Sequence, residues 1–213
     1  GNCGPALKCC AEIHLAYVND LNLAASSRVA AMSGAATASL EQIRDECEMV
    51  VIATPPSTHA ALIEGFLTSG RTVICEKPFV GNRPEAEYLV GTAAARGSKL
   101  FVAHFRRYFP SVRLGRALIE SGILGEVTKI SAYEGGRFTW QAESAYVYKD
   151  PLGGVLFDTG SHTLDMLLYV ACLDAGSMEV TSVRTQKDCP EPSHDFEAKA
   201  CLLHDDKTIR GHF

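Results

Sequence analysis

A chain of 213 residues with 46% hydrophobic and 21% charged side chains has the composition of an ordinary globular protein, long enough for one large domain or two small ones. Its net charge of −5, without any basic stripe, gives no reason to expect a nucleic-acid partner. No apolar run reaches the roughly 18 residues needed to cross a bilayer, and the first residues carry no signal-peptide pattern.

The chain opens GNCGPALKCCAEIHLAYVND. Gly1 and Gly4 have the spacing of the second and third glycines of GxGxxG, and Pro5 suits the first turn of a following helix. LAYV reads as a strand, with Asp20 just after it, where a dinucleotide fold places the acid that holds the ribose hydroxyls. The first strand and first glycine of such a fold are then expected ahead of residue 1.

From about residue 49 the punctuation is regular. EMVVIA is an apolar run ended by TPP, and STHAALIEGFLTSG reads as a helix with Ser57 as its cap and Gly70 as its stop. RTVIC is a second run, ended by EKP. RPEAEYLVGTAAARG is a helix with Pro84 in its first turn and Gly97 at its end. KLFVA is a third run, ended by HFRRYFP. Short apolar runs alternating with helices of ten or more residues indicate βαβ units and a parallel sheet buried on both faces. In open sheets of this kind ligands bind outside the carboxyl ends of the strands, so TPPSTH, EKP and HFRR are expected on one functional edge.

After HFRRYFP the character changes, and a boundary is expected between residues 107 and 108. PSVRLGRALIESGILG reads as a helix and EVTKISAYEG alternates like a half-exposed strand. GGRFTWQAESAYVYKDPLGG is rich in aromatic and polar residues; Trp140, Tyr146 and Tyr148 are placed either to stack on a sugar ring or to pack. GGVLFDTGSHTLDMLLYVACL reads as a helix, and MEVTSVRT, FEAKACLLH and KTIRGHF as strands. Eight cysteines are scattered without CxxC or Cys/His spacing. Several sit in apolar runs (Cys75, Cys172, Cys201), so buried, reduced thiols and a cytoplasmic setting are the expectation.

Asp158, His162, Asp165 and Tyr169 fall at i, i+4, i+7 and i+11 of the last helix and so share a face. Three readings compete for the Asp158–His162 pair. Two metal ligands lack a credible third. A solvated face with an ordinary Asp–His contact is the plain alternative. The functional reading makes His162 a proton-transfer group tuned by a carboxylate, and Gly160 in mid-helix leans that way, since it costs about 1 kcal/mol against Ala.

VVIATPPSTHAALIEGFLTSGRTVICEKPF, FVAHFRRYFP and GGVLFDTGSHTLD together resemble the glucose-fructose oxidoreductase / inositol dehydrogenase (Gfo/Idh/MocA) family of NAD(P)-dependent oxidoreductases. The resemblance implies a Rossmann domain over residues 1–107, lacking its first strand, and a truncated α/β domain over 108–213. The second would carry an open, mostly antiparallel sheet that often forms the subunit interface, so a homo-oligomer is implied. Lys77 would be the EKP lysine beside the nicotinamide and the substrate hydroxyl, His162 the catalytic acid/base, and Asp158 the carboxylate of the D-x-x-x-H pair. Thr54, Pro55 and His59 would line the nicotinamide half of the site with Glu76 at its edge, and Gly1, Gly4 and Asp20 would hold the pyrophosphate and ribose. The Lys77–Pro78 bond is expected to be cis. Phe105 stands where many relatives have Asn, which removes a polar contact. Arg106 and Tyr148 are candidates for substrate contact. A sugar, cyclitol or related polyhydroxy compound is the implied substrate, with NAD favoured over NADP because Asp20 would repel a 2′-phosphate. An NAD-dependent glycosidase and a non-catalytic dinucleotide-binding regulator are the alternatives; a regulator has no need of Lys77, Asp158 and His162 together.

Overall fold

The computed structural model of the chain describes residues 10–134, 150–173, 179–186, 197–204 and 207–212. Gly1, Gly4, Trp140, Tyr146 and Tyr148 lie outside the described residues.

The first half alternates strand and helix as the sequence predicts. β1 (Tyr17–Val18), α1 (Leu23–Ser33), β2 (Ala36–Thr37) and α2 (Leu40–Glu46) come first. β3 (Met49–Ile52), a 3-10 turn at Pro56–Thr58, α3 (His59–Leu67), β4 (Thr72–Cys75), α4 (Arg83–Arg96) and β5 (Leu100–Val102) follow. β1 pairs with β2 in parallel, and β3, β4 and β5 form a second parallel sheet in that order. Three of these four helices begin at a polar side chain that takes orphan amides of the first turn. Asn22 accepts from the amides of Ala24 and Ala25, Ser39 from Gln42 and Asn82 from Glu85. Gly34 and Gly97 end α1 and α4 in the left-handed region, which only a residue without Cβ enters freely. Ser57 departs from expectation. It does not cap α3, because its amide and hydroxyl are both turned to Asp150.

The core of this half is Ile43, Ile52, Ile63, Phe66, Leu67, Val73, Cys75, Leu89 and Ala93. Val73 and Cys75 are fully enclosed, as the centre strand of a parallel sheet requires. Burial pushes the Cys75 thiol up to about 12, which leaves it inert. Cys172, expected in a core, is instead exposed just past the end of a helix.

In the second half a 3-10 turn at Phe105–Tyr108 leads into α5 (Pro110–Glu120), and β6 (Lys129–Tyr133) follows. A π-helical turn at Leu156–Gly160 runs straight into α6 (Ser161–Val170), and β7 (Glu179–Gln186), β8 (Glu197–His204) and β9 (Lys207–His212) complete a four-stranded sheet in the order β6-β9-β8-β7. Only the β6–β9 pair is parallel. Ile130 and Ala132 of β6 turn toward Leu164, Leu167, Leu168 and Leu173, while Lys129, Ser131 and Tyr133 stay exposed. Among the described residues no helix is long and apolar enough to cross a membrane.

Candidate active site

β3, β4 and β5 are parallel neighbours, so TPPST, EKP and HFRR leave the sheet along one edge. Thr54 and Pro55 are exposed there. His59 is not; it is fully enclosed, with Nδ1 at 2.9 Å from the Pro78 carbonyl and 3.1 Å from that of Phe79, and Nε2 at 2.9 Å from the Thr54 carbonyl. Donating from whichever nitrogen carries the proton, the enclosed His59 ring sits between the loop after β3 and the loop after β4 and supports the rim instead of forming its surface. The Lys77–Pro78 peptide is cis.

Lys77 leaves the end of β4 with only 14% of its side chain exposed and meets the second half of the chain at once. Its Nζ donates to the Asp158 carbonyl at 3.0 Å and to Asp158 Oδ1. The expectation of an Asp158–His162 contact is corrected by this pairing. Residues 156–160 form a π-turn and not regular α-helix, so the i, i+4 stacking assumed for this stretch does not hold there, and the Asp158 carboxylate goes to the nearby ammonium. Such π-turns gather at functional sites. The carboxylate partner of Lys77 is thus Asp158; Glu76, whose amide bonds the Ile52 carbonyl, holds its place at the strand end.

His162 is 5% exposed, and its Nδ1 is buried without a hydrogen-bond partner. The Phe105 ring meets it edge-on, 4.9 Å between centroids. Burial first, then the positive charges of Lys77 and Arg106, hold its pKa down to about 4, so the ring is a neutral imidazole at physiological pH. Phe105 therefore supplies apolar cover where a polar contact was expected to be lost.

Arg106 does not stand free for a ligand. Its Nη1 is ion-paired with Glu134, at the end of β6, and Glu134 Oε2 also accepts the hydroxyl of Thr163, the residue after His162. Burial works against the Glu134 carboxylate, yet the Arg106 and Thr163 hydrogen bonds hold its pKa below the usual range. Arg107 grips Asp165 in bidentate fashion, Nε to Oδ2 at 2.8 Å and Nη2 to Oδ1. His104 points Nδ1 at Asp165 Oδ2, 3.6 Å away. Glu134, His104 and the clasp from Asp150 to Ser57 went unsingled in the sequence because each lies far in the chain from its partner. The only available signal was the adjacency of His104 to the Arg pair at a strand end. Among the described residues no three His, Cys, Asp or Glu side chains converge as a metal site.

In the two-stranded sheet Asp20 is exposed just beyond β1. Its Oδ1 accepts the Asn22 amide at 2.8 Å, which fixes the carboxylate at the strand end.

Known proteins settle the lineage. Residues 4–104 match "Oxidoreductase family, NAD-binding Rossmann fold", and residues 112–210 match "GFO/IDH/MocA C-terminal domain". The chain belongs to the Gfo/Idh/MocA oxidoreductase family. Within it, the inositol 2-dehydrogenase of Rhizobium meliloti (strain 1021) is 28% identical over 199 residues, which is 91% of this chain and 58% of that protein. The trans-1,2-dihydrobenzene-1,2-diol dehydrogenase of Bos taurus is 31% identical over 125 residues, 59% of this chain and 37% of that enzyme. An oxidoreductase from Agrobacterium radiobacter, solved with NAD+, L-tartaric acid and magnesium, shares the fold with a TM-score of 0.85 at 22% identity, over 99% of this Gfo/Idh/MocA chain and 62% of that one. The chain spans less than two thirds of the length of each of these proteins.

Proposed function

We propose that this chain carries the active site of an NAD-dependent dehydrogenase acting on a sugar, cyclitol or related polyhydroxy compound. Residues 1–107 hold the cofactor and 108–213 the substrate. The observation that carries the reading is the convergence, at the carboxyl edge of a Rossmann sheet, of Lys77 with a buried, neutral His162 from the other half. NAD, when bound along this edge, supplies the acceptor for the hydride that leaves a carbinol carbon. Asp20 takes the ribose hydroxyls and disfavours a 2′-phosphate; Thr54 and Pro55 flank the nicotinamide end, and Gly1 and Gly4 are assigned to the pyrophosphate.

The remaining chemistry belongs to side chains. Lys77, with one donor left beyond the two given to Asp158, faces the oxygen on which negative charge develops as the hydride departs. His162 takes the hydroxyl proton, which a neutral imidazole can do and an imidazolium cannot. Phe105 keeps bulk water from the imidazole, and Asp158 keeps Lys77 on target. The names of relatives acting on inositol and a dihydrodiol support a substrate with adjacent hydroxyls.

Lys77→Ala is the test. Turnover of any polyol substrate is expected to fall by about 10³-fold, with NAD affinity changed less than about threefold, as befits a group acting on developing charge. Turnover within tenfold of wild type would sink the role of Lys77. Release of sugar from glycosides without net NADH would favour the glycosidase reading.

A further inference from the structure

His104 and His162 come from different halves of the chain, yet their rings stand edge to face with centroids 6.5 Å apart. The Nδ1 atom of each is buried and without a hydrogen bond. A buried polar atom without a partner is destabilising, and such atoms persist where a site has work for them. The two rings differ in what lies behind them. His162 has a hydrophobic wall, Phe105. His104 has a carboxylate, Asp165, whose Oδ2 lies 3.6 Å from Nδ1 and which Arg107 locks in place through two hydrogen bonds. They differ also in access, since the His104 side chain is 26% exposed and His162 is enclosed.

We propose that His104 is a second acid/base group of this site, oriented by Asp165, and that it passes the proton taken up by His162 to solvent. The inference rests on the dehydrogenase reading. As hydride leaves the carbinol carbon for the nicotinamide, the hydroxyl proton goes to a ring nitrogen of His162 and the carbon–oxygen bond becomes a carbonyl. An imidazolium in that enclosed position, beside Lys77 and Arg106, is unstable, so the proton must leave before the next turnover. With the centroids 6.5 Å apart, one water between ring nitrogens is the bridge this relay calls for. His162 gives its proton to that water, which gives one of its own to His104 Nε2. The resulting imidazolium carries Nδ1–H toward the Asp165 carboxylate and loses its other proton to bulk solvent. Asp165 is thus a positioning residue in the sense that the carboxylate behind an imidazole fixes its tautomer. The groups facing His104 are Asp165 of α6, Arg107 of the adjoining turn, and Lys77 and Glu76 of the loop after β4. Burial, Arg107 and Lys77 keep it neutral against the pull of Asp165 and Glu76, so it is ready to accept.

Two measurements test this. The first is the imidazole tautomer of His104 in uniformly 15N-labelled chain at pH 7.5, read from two-bond 1H–15N correlations. Nδ1–H is expected in wild type, with Nε2–H gaining population in Asp165→Asn; Nε2–H in wild type overturns the proposal whatever the turnover. The second is buffer rescue. His104→Ala is expected to lower kcat by about tenfold or more, with KM for the polyol within about threefold, and added imidazole is expected to restore most of the loss. An unchanged kcat, or a loss that no buffer repairs, overturns the relay. Absence of NADH formation by the wild-type chain speaks instead against the dehydrogenase reading, and the tautomer still decides for or against His104.

Discussion

Lys77, Arg106 and Arg107 each reach a carboxylate in the other half of the chain: Asp158, Glu134 and Asp165. Two of these cations, Lys77 and Arg106, act on the buried imidazole of His162. Once burial has disfavoured the charged ring, Lys77 and Arg106 push His162 further in the same direction, and Asp158 pulls back only weakly. Arg106→Gln removes one of those cations and leaves Glu134 with its negative charge, so the His162 pKa is expected to climb from about 4 toward the ordinary 6.5. An NMR titration of the His162 ring protons checks the sign, and a value that stays or falls contradicts it. At this scale the sequence was legible where a residue's role is local. Lys77 at a strand end and His162 inside a GSH turn were visible, whereas their partners were not, because pairing over 81 residues, as between Lys77 and Asp158, leaves no periodic trace.

The loops that follow β3 and β4 are held from two sides. His59 lies between their backbones, its ring nitrogens within reach of the Pro78 and Thr54 carbonyls, and Asp150 grips the first of them from the second half of the chain. Asp150 is 6% exposed and accepts from the Ser57 amide at 3.2 Å, the Ser57 hydroxyl at 2.6 Å and the Leu152 amide at 2.9 Å. Burial opposes its ionisation, but these donors hold its pKa below the usual carboxylate range. Asp150→Ala leaves those donors without a partner, and a loss on the order of 2 kcal/mol is expected in denaturant unfolding. Ser57→Ala, which removes one donor and keeps the carboxylate, should cost about half as much; equal and negligible losses would mean that the clasp contributes nothing. Elements were legible in the sequence wherever apolar runs stood between turn residues, as for β3, α3, β4, α4 and β5. α1 was not, since LAASSRVAAMS has small residues on every side and no apolar stripe. The π-turn was not either, because VLFDTGSH has ordinary helical spacing and nothing local in it marks the wider turn at Leu156–Gly160.

On the scale of the whole chain, the imidazole of His162, buried neutral where the halves meet, links folding to pH. An unfolded histidine titrates near 6.5, and folded His162 near 4. Between those values the unfolded chain binds a proton that the folded chain refuses. Stability is therefore fully present above about 6.5, drains away as pH falls through the window and levels off below about 4, with His162 accounting for roughly 3 kcal/mol. Urea unfolding at pH 7.5 and 4.5 should show this difference, reduced by a like amount in His162→Phe; a variant that loses stability in parallel with wild type would contradict it. The same neutral imidazole carries the proposed dehydrogenase reading, and hydride transfer is its most direct test. Cyclitols and sugars deuterated at their carbinol carbons, myo-inositol among them, are incubated with the chain and NAD, and the nicotinamide is examined by NMR. Deuterium at C4 of the reduced ring is the expected result. A substrate that is consumed while its deuterium stays in the sugar and the NAD pool stays oxidised would contradict the reading.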